Sequence, residues 1–175
     1  MTYHFKQWLI SLKHYVLMCL FVSGPDRLPS GLNNILFSLF CYFIIGFSLV
    51  DEQRSYATIV IQIAIELALL ALVIYTGLNC KKLLSRLYQS FSALLGVNMV
   101  ISAVSIPVYE VLTQDFNSDA ELSRNVLNVT LVLVLWNLAV MSLILKRALN
   151  INTTFAAMIS FNYFVVYQFL IIWLF

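Results

Sequence analysis

Glu66 is the one charge-capable side chain deep inside an apolar run of this chain, and it fixes the chemistry to look for. It falls almost midway along the stretch Tyr56–Leu78, where an ionised carboxylate costs at least a few kcal/mol. Hydrocarbon surroundings favour the neutral acid, which can donate a hydrogen bond. Gln62 stands one turn earlier on the same helical face. At matching depth in two later apolar stretches come Asn98 and Asn137, the latter beside Trp136, while Asn162, Tyr163, Tyr167 and Gln168 bracket the middle of the last one. If the helices pack as a bundle, Glu66, Asn98 and Asn137 meet in one layer, and with Gln62 they form the candidate intramembrane polar site. That layer has two principal readings. Interhelical hydrogen bonds of about 0.6–2 kcal/mol each hold bundles together; the same groups can also form a proton relay or a headgroup-binding pocket. A third use is contact with a partner's transmembrane helix.

Other chemistry finds no residues to carry it. His4 and His14 both lie near the start without carboxylate or cysteine neighbours, and Cys19, Cys41 and Cys80 form no CxxC and no zinc spacing. No Ser/His/acid combination, no acidic pair at a membrane boundary for a metal-dependent transferase, and no Gly-rich phosphate loop is present. The expectation is a protein that is not an enzyme, with no catalytic residue, cofactor or metal.

The elements that must position Glu66 follow from composition. The chain has 175 residues, 62% hydrophobic and 10% charged, with a mean hydropathy of +0.92. Soluble domains average about 45–50% apolar and about 25% charged, so a soluble enzyme or a nucleic-acid binder is excluded. The fold class expected is all-α, a polytopic integral membrane helical bundle. A helix needs about 20 apolar residues to cross the roughly 30 Å hydrocarbon core. Five stretches qualify, at about residues 32–50, 56–78, 87–112, 126–145 and 155–175, and together they make a transmembrane domain over 32–175. Pro107 in the third predicts a kink or an early exit from the bilayer.

Residues 1–31 are different: a cytoplasmic amphipathic helix and a turn. Phe5, Trp8, Leu9, Leu12, Val16, Cys19 and Leu20 recur at helical spacing against Lys6, Gln7, Ser11, Lys13 and His14. The first half reads as an interfacial helix; the second half, apolar all round, either stays in plane or dips inward. As a signal peptide or lipobox the segment is poor, because Ser23-Gly24-Pro25 and Met18-Cys19 offer weak cleavage sites. Gly24 through Gly31 is the densest turn signal, with Gly24 expected to end the helix in a left-handed conformation and Ser30 to cap the next. The turn serves as a hinge or as a docking loop for a partner or headgroup.

Basic residues fix an orientation. Lys6, Lys13, Arg27, Lys81, Lys82, Arg86, Lys146 and Arg147 fall on one side, against Arg54 and Arg124 on the other. The second side also collects Asp51, Glu52, Glu110, Asp115, Asp119 and Glu121. By the positive-inside rule the N-terminus is cytoplasmic and the C-terminus outside. A bacterial inner membrane is the expected location, a eukaryotic endomembrane the alternative. Lys81, Lys82, Lys146 and Arg147 serve as orientation anchors and as attraction points for anionic lipid. Ser92, Gly96 and Ala103, and separately Ala64, Ala68 and Ala71, make small-residue faces suited to close helix packing. The sequons at Asn128 and Asn152 sit at a span entrance and on the cytoplasmic side, so neither suits glycosylation.

A cytoplasmic N-terminal segment, the Gly24-Pro25 to Pro29 turn and five closely spaced spans from Leu32 to Phe175 together resemble, in topology, the Yip1 family of small membrane proteins. That resemblance implies a membrane-embedded adaptor or organiser. Two functions are therefore expected: a non-catalytic scaffold, adaptor or accessory subunit of a larger membrane assembly, or a small transporter or proton-coupled carrier using Glu66. Against the carrier, five spans do not divide into equal repeats. The partners are the bilayer and other membrane-protein subunits.

Overall fold

Long apolar runs with few interruptions favour continuous helix, and the described residues form six α-helices. The computed structural model describes residues 2–29, 31–48, 56–115 and 120–174, with side chains placed for 7–29, 31–48, 56–108 and 124–174. The helices are α1 (Thr2–Cys19), α2 (Leu32–Ser48), α3 (Tyr56–Cys80), α4 (Leu87–Asp115), α5 (Ala120–Leu149) and α6 (Thr153–Leu174). No strand occurs among the described residues. Four segments, Tyr56–Cys80, Leu84–Val108, Arg124–Leu149 and Thr153–Leu174, are long and apolar enough to cross a membrane. The remaining apolar helix, α2, has 17 residues, about 26 Å at the usual rise. The expected end of its span at 49–50, the loop bearing Asp51, Glu52 and Arg54, and Ser30 lie outside the described residues. So do Asp119 and the side chains of Lys6, Glu110, Asp115 and Glu121.

Helix ends overrun the apolar windows expected from hydropathy. α4 continues through Pro107 to Asp115, past the end expected at 112, and α5 begins well before Val126 and extends past Lys146 and Arg147. Apolarity sets what a membrane can cover; the backbone ladder stops only at a capping signal. Those signals are visible. At the end of α1, Phe21 takes φ 64°, and the amides of Val22 and Phe21 bond the carbonyls of Leu17 and Met18 at 2.9 and 3.0 Å. This is a Schellman ending. Lys82 at φ 57° ends α3 in the same way, with Leu83 N–H on the Leu78 carbonyl at 2.8 Å. Asn150 at φ 52° ends α5, and Asn152 then caps α6 by accepting from the Phe155 amide at 2.7 Å.

The turn after α1 departs from expectation. Gly24 is extended (φ −137°, ψ 167°), not left-handed, because Phe21 has already reversed the chain. Glycine here instead leaves room for a close approach: a Cβ would meet the Arg147 side chain and the Asp26 carboxylate, which would have to shift. Pro25 and Leu28 are buried, and the Leu28 carbonyl accepts from Gln89 at 3.0 Å. The turn is thus packed onto α4 and α5.

α4 is the hub. Every residue from Ser92 to Met99 is buried, and the helix meets α1, α2, α3 and α5. α1 crosses α2 without running alongside it: Trp8 stacks on Phe37 at 4.8 Å, while Tyr15, about 10 Å farther along α1, bonds the next α2 residue, Ser38, at 2.7 Å. Ser11, Tyr15 and Met18 are the buried face of α1, and Leu9, Leu12, Val16 and Leu20 are exposed. Cys19 is buried as well, its carbonyl accepting from the Trp136 indole at 2.9 Å.

Candidate functional site

Three contacts mark one end of the bundle: Gly77 against Leu149, Gly24 against Arg147, and Gln89 on the Leu28 carbonyl. Counted from that end, Glu66 lies eleven residues down α3 from Gly77, Asn98 eleven down α4 from Leu87, and Asn137 ten down α5 from Arg147. At about 1.5 Å per residue each is roughly 15–17 Å deep, about half of a hydrocarbon core. Equal depth on neighbouring helices brings them together. Glu66, Asn98 and Asn137 line one cavity of about 110 Å³, with Tyr163 and Tyr167 completing its polar wall and Met141 among its apolar lining.

Helical period decides which polar residues join. On α6, Tyr163 and Tyr167 are four apart, face inward and stack at 6.4 Å, whereas Asn162 and Gln168 are exposed. Gln62, grouped with Glu66 by its i, i+4 spacing, does not line the cavity. It is half-buried one turn away on α3. Tyr42 is the residue that depth along the sequence did not single out. It is buried on α2 and stands close to the Glu66 carboxyl, as do Tyr163 and Tyr167. The readable signal was its position ten residues into an apolar helix.

A second polar cluster, nearer the marked end, provides the contrast. The Tyr15 hydroxyl bonds Ser38 Oγ and Ser92 Oγ, each at 2.7 Å. Asn34 Nδ2 donates to Ser92 Oγ at 3.0 Å, and Ser38 Oγ donates to the Asn34 carbonyl at 2.9 Å. Here the Tyr15, Asn34, Ser38 and Ser92 side chains pair directly across α1, α2 and α4, as a structural layer should, although Ser11 Oγ, one turn from Tyr15, is buried without a partner.

Around Glu66 the polar groups are not paired in this way. The Tyr163 hydroxyl is buried without a hydrogen-bond partner, which ordinarily costs about 1–3 kcal/mol. Among the described residues the amides of Asn98 and Asn137 make no side-chain hydrogen bond either, and both face the cavity. Comparison with known proteins returns no match to a family model, a curated protein or a solved structure. The chemistry of this site therefore rests on its own geometry. A volume near 110 Å³ corresponds to about three waters, and the wall offers two amides, two phenols and one carboxyl. That donor set suits a proton with its hydrating waters or a small polar ion. No group of three or more His, Cys, Asp or Glu that could hold a metal occurs among the described residues.

Proposed function

We propose that this protein is a small proton-coupled carrier of the membrane, with Glu66 as the group that takes up and releases the proton. The observation that carries this reading is the contrast between the two polar clusters. The four side chains of the Tyr15 layer bond one another; the Glu66 chamber leaves donors and acceptors directed into a cavity at mid-depth, where carriers keep their sites. In this reading α2 to α6 are five spans, α1 is an interfacial helix whose exposed stripe of Leu9, Leu12, Val16 and Leu20 meets lipid, and the basic residues place the N-terminus in the cytoplasm, most simply that of a bacterium.

Reconstitution in liposomes containing a pH-sensitive dye tests it. Under an imposed pH gradient the wild type is expected to move protons faster than empty vesicles. Glu66→Gln keeps hydrogen bonding but removes titration, and is expected to abolish that flux while the protein still elutes as one species. Flux retained in Glu66→Gln and lost only in Glu66→Leu would return the chamber to a structural role.

One observation favours a second reading, an accessory subunit or adaptor as the Yip1-like topology implies. Asn162 is exposed halfway along α6, on a face otherwise presenting Phe161, Val165 and Phe169. An amide on a lipid-facing surface gains by bonding a partner helix. Recovery of a stoichiometric partner in mild detergent, lost in Asn162→Leu, is the outcome expected if that reading holds.

A further inference from the structure

An apolar groove of about 530 Å³ opens between α2, α3 and α4, lined among others by Ile35, Ala68, Leu72, Tyr75, Tyr88 and Phe91. Its volume falls within the about 300–1,000 Å³ typical of small-molecule sites. α2 and α3 touch little while each packs on α4, so the groove is the seam that these two helices leave open. Ala68 and Ala71, which by spacing suit a close helix contact, line this seam. Ser92 and Gly96, the other small-residue pair, are filled by Tyr15.

What lies at the mouth of the seam identifies the occupant. Arg86 directly precedes the lining residues Leu87 and Tyr88, and Lys81 and Lys82 follow the end of α3, nearly two turns beyond Tyr75. All three cations are exposed, and no acidic residue occurs between 67 and 109. The other basic pair at this end is engaged within the chain: Lys146 Nζ donates to Thr153 Oγ1 at 2.8 Å, and Arg147 packs over Gly24 beside Asp26. The sequence alone treats the two pairs alike; the fold separates them. Tyr75 and Tyr88, each half exposed, flank the opening at the level where aromatic rings meet headgroups.

We propose that this seam is a specific site for one anionic phospholipid of the surrounding bilayer, with an acyl chain lying along Ala68, Leu72 and Phe91 and the headgroup phosphate held by Lys81, Lys82 and Arg86. The site is independent of the Glu66 chamber. An apolar chain has nothing to gain from water in the groove, and a phosphate finds three exposed cations on a stretch, 67–109, that carries no acidic residue.

Native mass spectrometry of the full chain, released from nanodiscs of equal phosphatidylglycerol and phosphatidylcholine, tests the assignment. The wild type is expected to retain one phosphatidylglycerol. Replacing Lys81, Lys82 and Arg86 together by Gln is expected to weaken that retention by about a hundredfold. Ala68→Phe, which fills the groove and leaves the cations, is expected to lose it as well, and both variants should elute as the wild type does. Equal retention of the two lipids, unchanged retention in either variant, or a second copy of the chain seated on the groove would each overturn the proposal.

Discussion

The ring of Tyr15 lies directly on Gly96, so that a Cβ at position 96 would stand inside the contact distance of three ring atoms. The ring has no easy retreat, because its hydroxyl is held at 2.7 Å by both Ser38 and Ser92. Gly96→Ala is therefore expected to destabilise the detergent-solubilised protein by about 1–3 kcal/mol, the usual cost of overpacking. In a Tyr15→Leu background, where the ring is gone, the same change should cost less. Equal costs in the two backgrounds, measured by thermal unfolding, would place α1 elsewhere.

Two tyrosine-to-phenylalanine changes separate the polar clusters. Tyr15→Phe removes a hydroxyl with two partners and is expected to lower stability by about 1–3 kcal/mol. Tyr163→Phe removes a buried hydroxyl that bonds nothing and is expected to leave stability unchanged or slightly raised, while slowing any proton flux through the chamber. Equal destabilisation by both would mean that Tyr163 is paired as Tyr15 is.

Depth along an apolar run proved an adequate guide to which polar residues meet, since a helix advances uniformly and a bilayer-sized bundle aligns its helices. That is why Glu66, Asn98 and Asn137 could be grouped from sequence and do line one cavity. Rotation about each helix was less legible. Gln62 shares a face with Glu66 yet misses the chamber, and Asn162 turns outward while Tyr163 turns inward. Partners from helices remote in the chain were not legible at all: nothing near Tyr15 announces Ser92, nor anything near Tyr42 announces Glu66. Turn chemistry also misled at Gly24, where glycine serves a close approach by Arg147 and not a left-handed turn.

Phe21 occupies the left-handed position that ends α1, with φ 64° and nearly half its surface exposed. A side chain there meets its own backbone at a cost of roughly 1–2 kcal/mol, which glycine avoids. Phe21→Gly is thus expected to raise thermal stability, by up to about 1 kcal/mol once the added freedom of the unfolded chain is set against it. A fall in stability would show that the exposed phenyl ring is held by something, the bilayer first among the candidates.

Cys19 and Cys80 differ in a way that thiol chemistry can read. Cys80 is exposed at the end of α3, next to Lys81, whereas Cys19 is 2% exposed beneath α4 and α5. Burial pushes the Cys19 thiol up to about 11, and only the thiolate reacts with maleimides or disulfides. Because the shift is upward, Cys19 stays protonated and unreactive at pH 7 to 8, and its labelling should grow only as pH approaches 11. In a Cys41→Ser background one adduct is expected at neutral pH, at Cys80, with a second appearing on denaturation. A membrane-impermeant maleimide added to intact spheroplasts should then miss Cys80, since the basic end that carries it is expected to face the cytoplasm. Modification of Cys19 at the rate of Cys80 would show that α1 is not docked on the bundle, and with it the Tyr15 layer would fall.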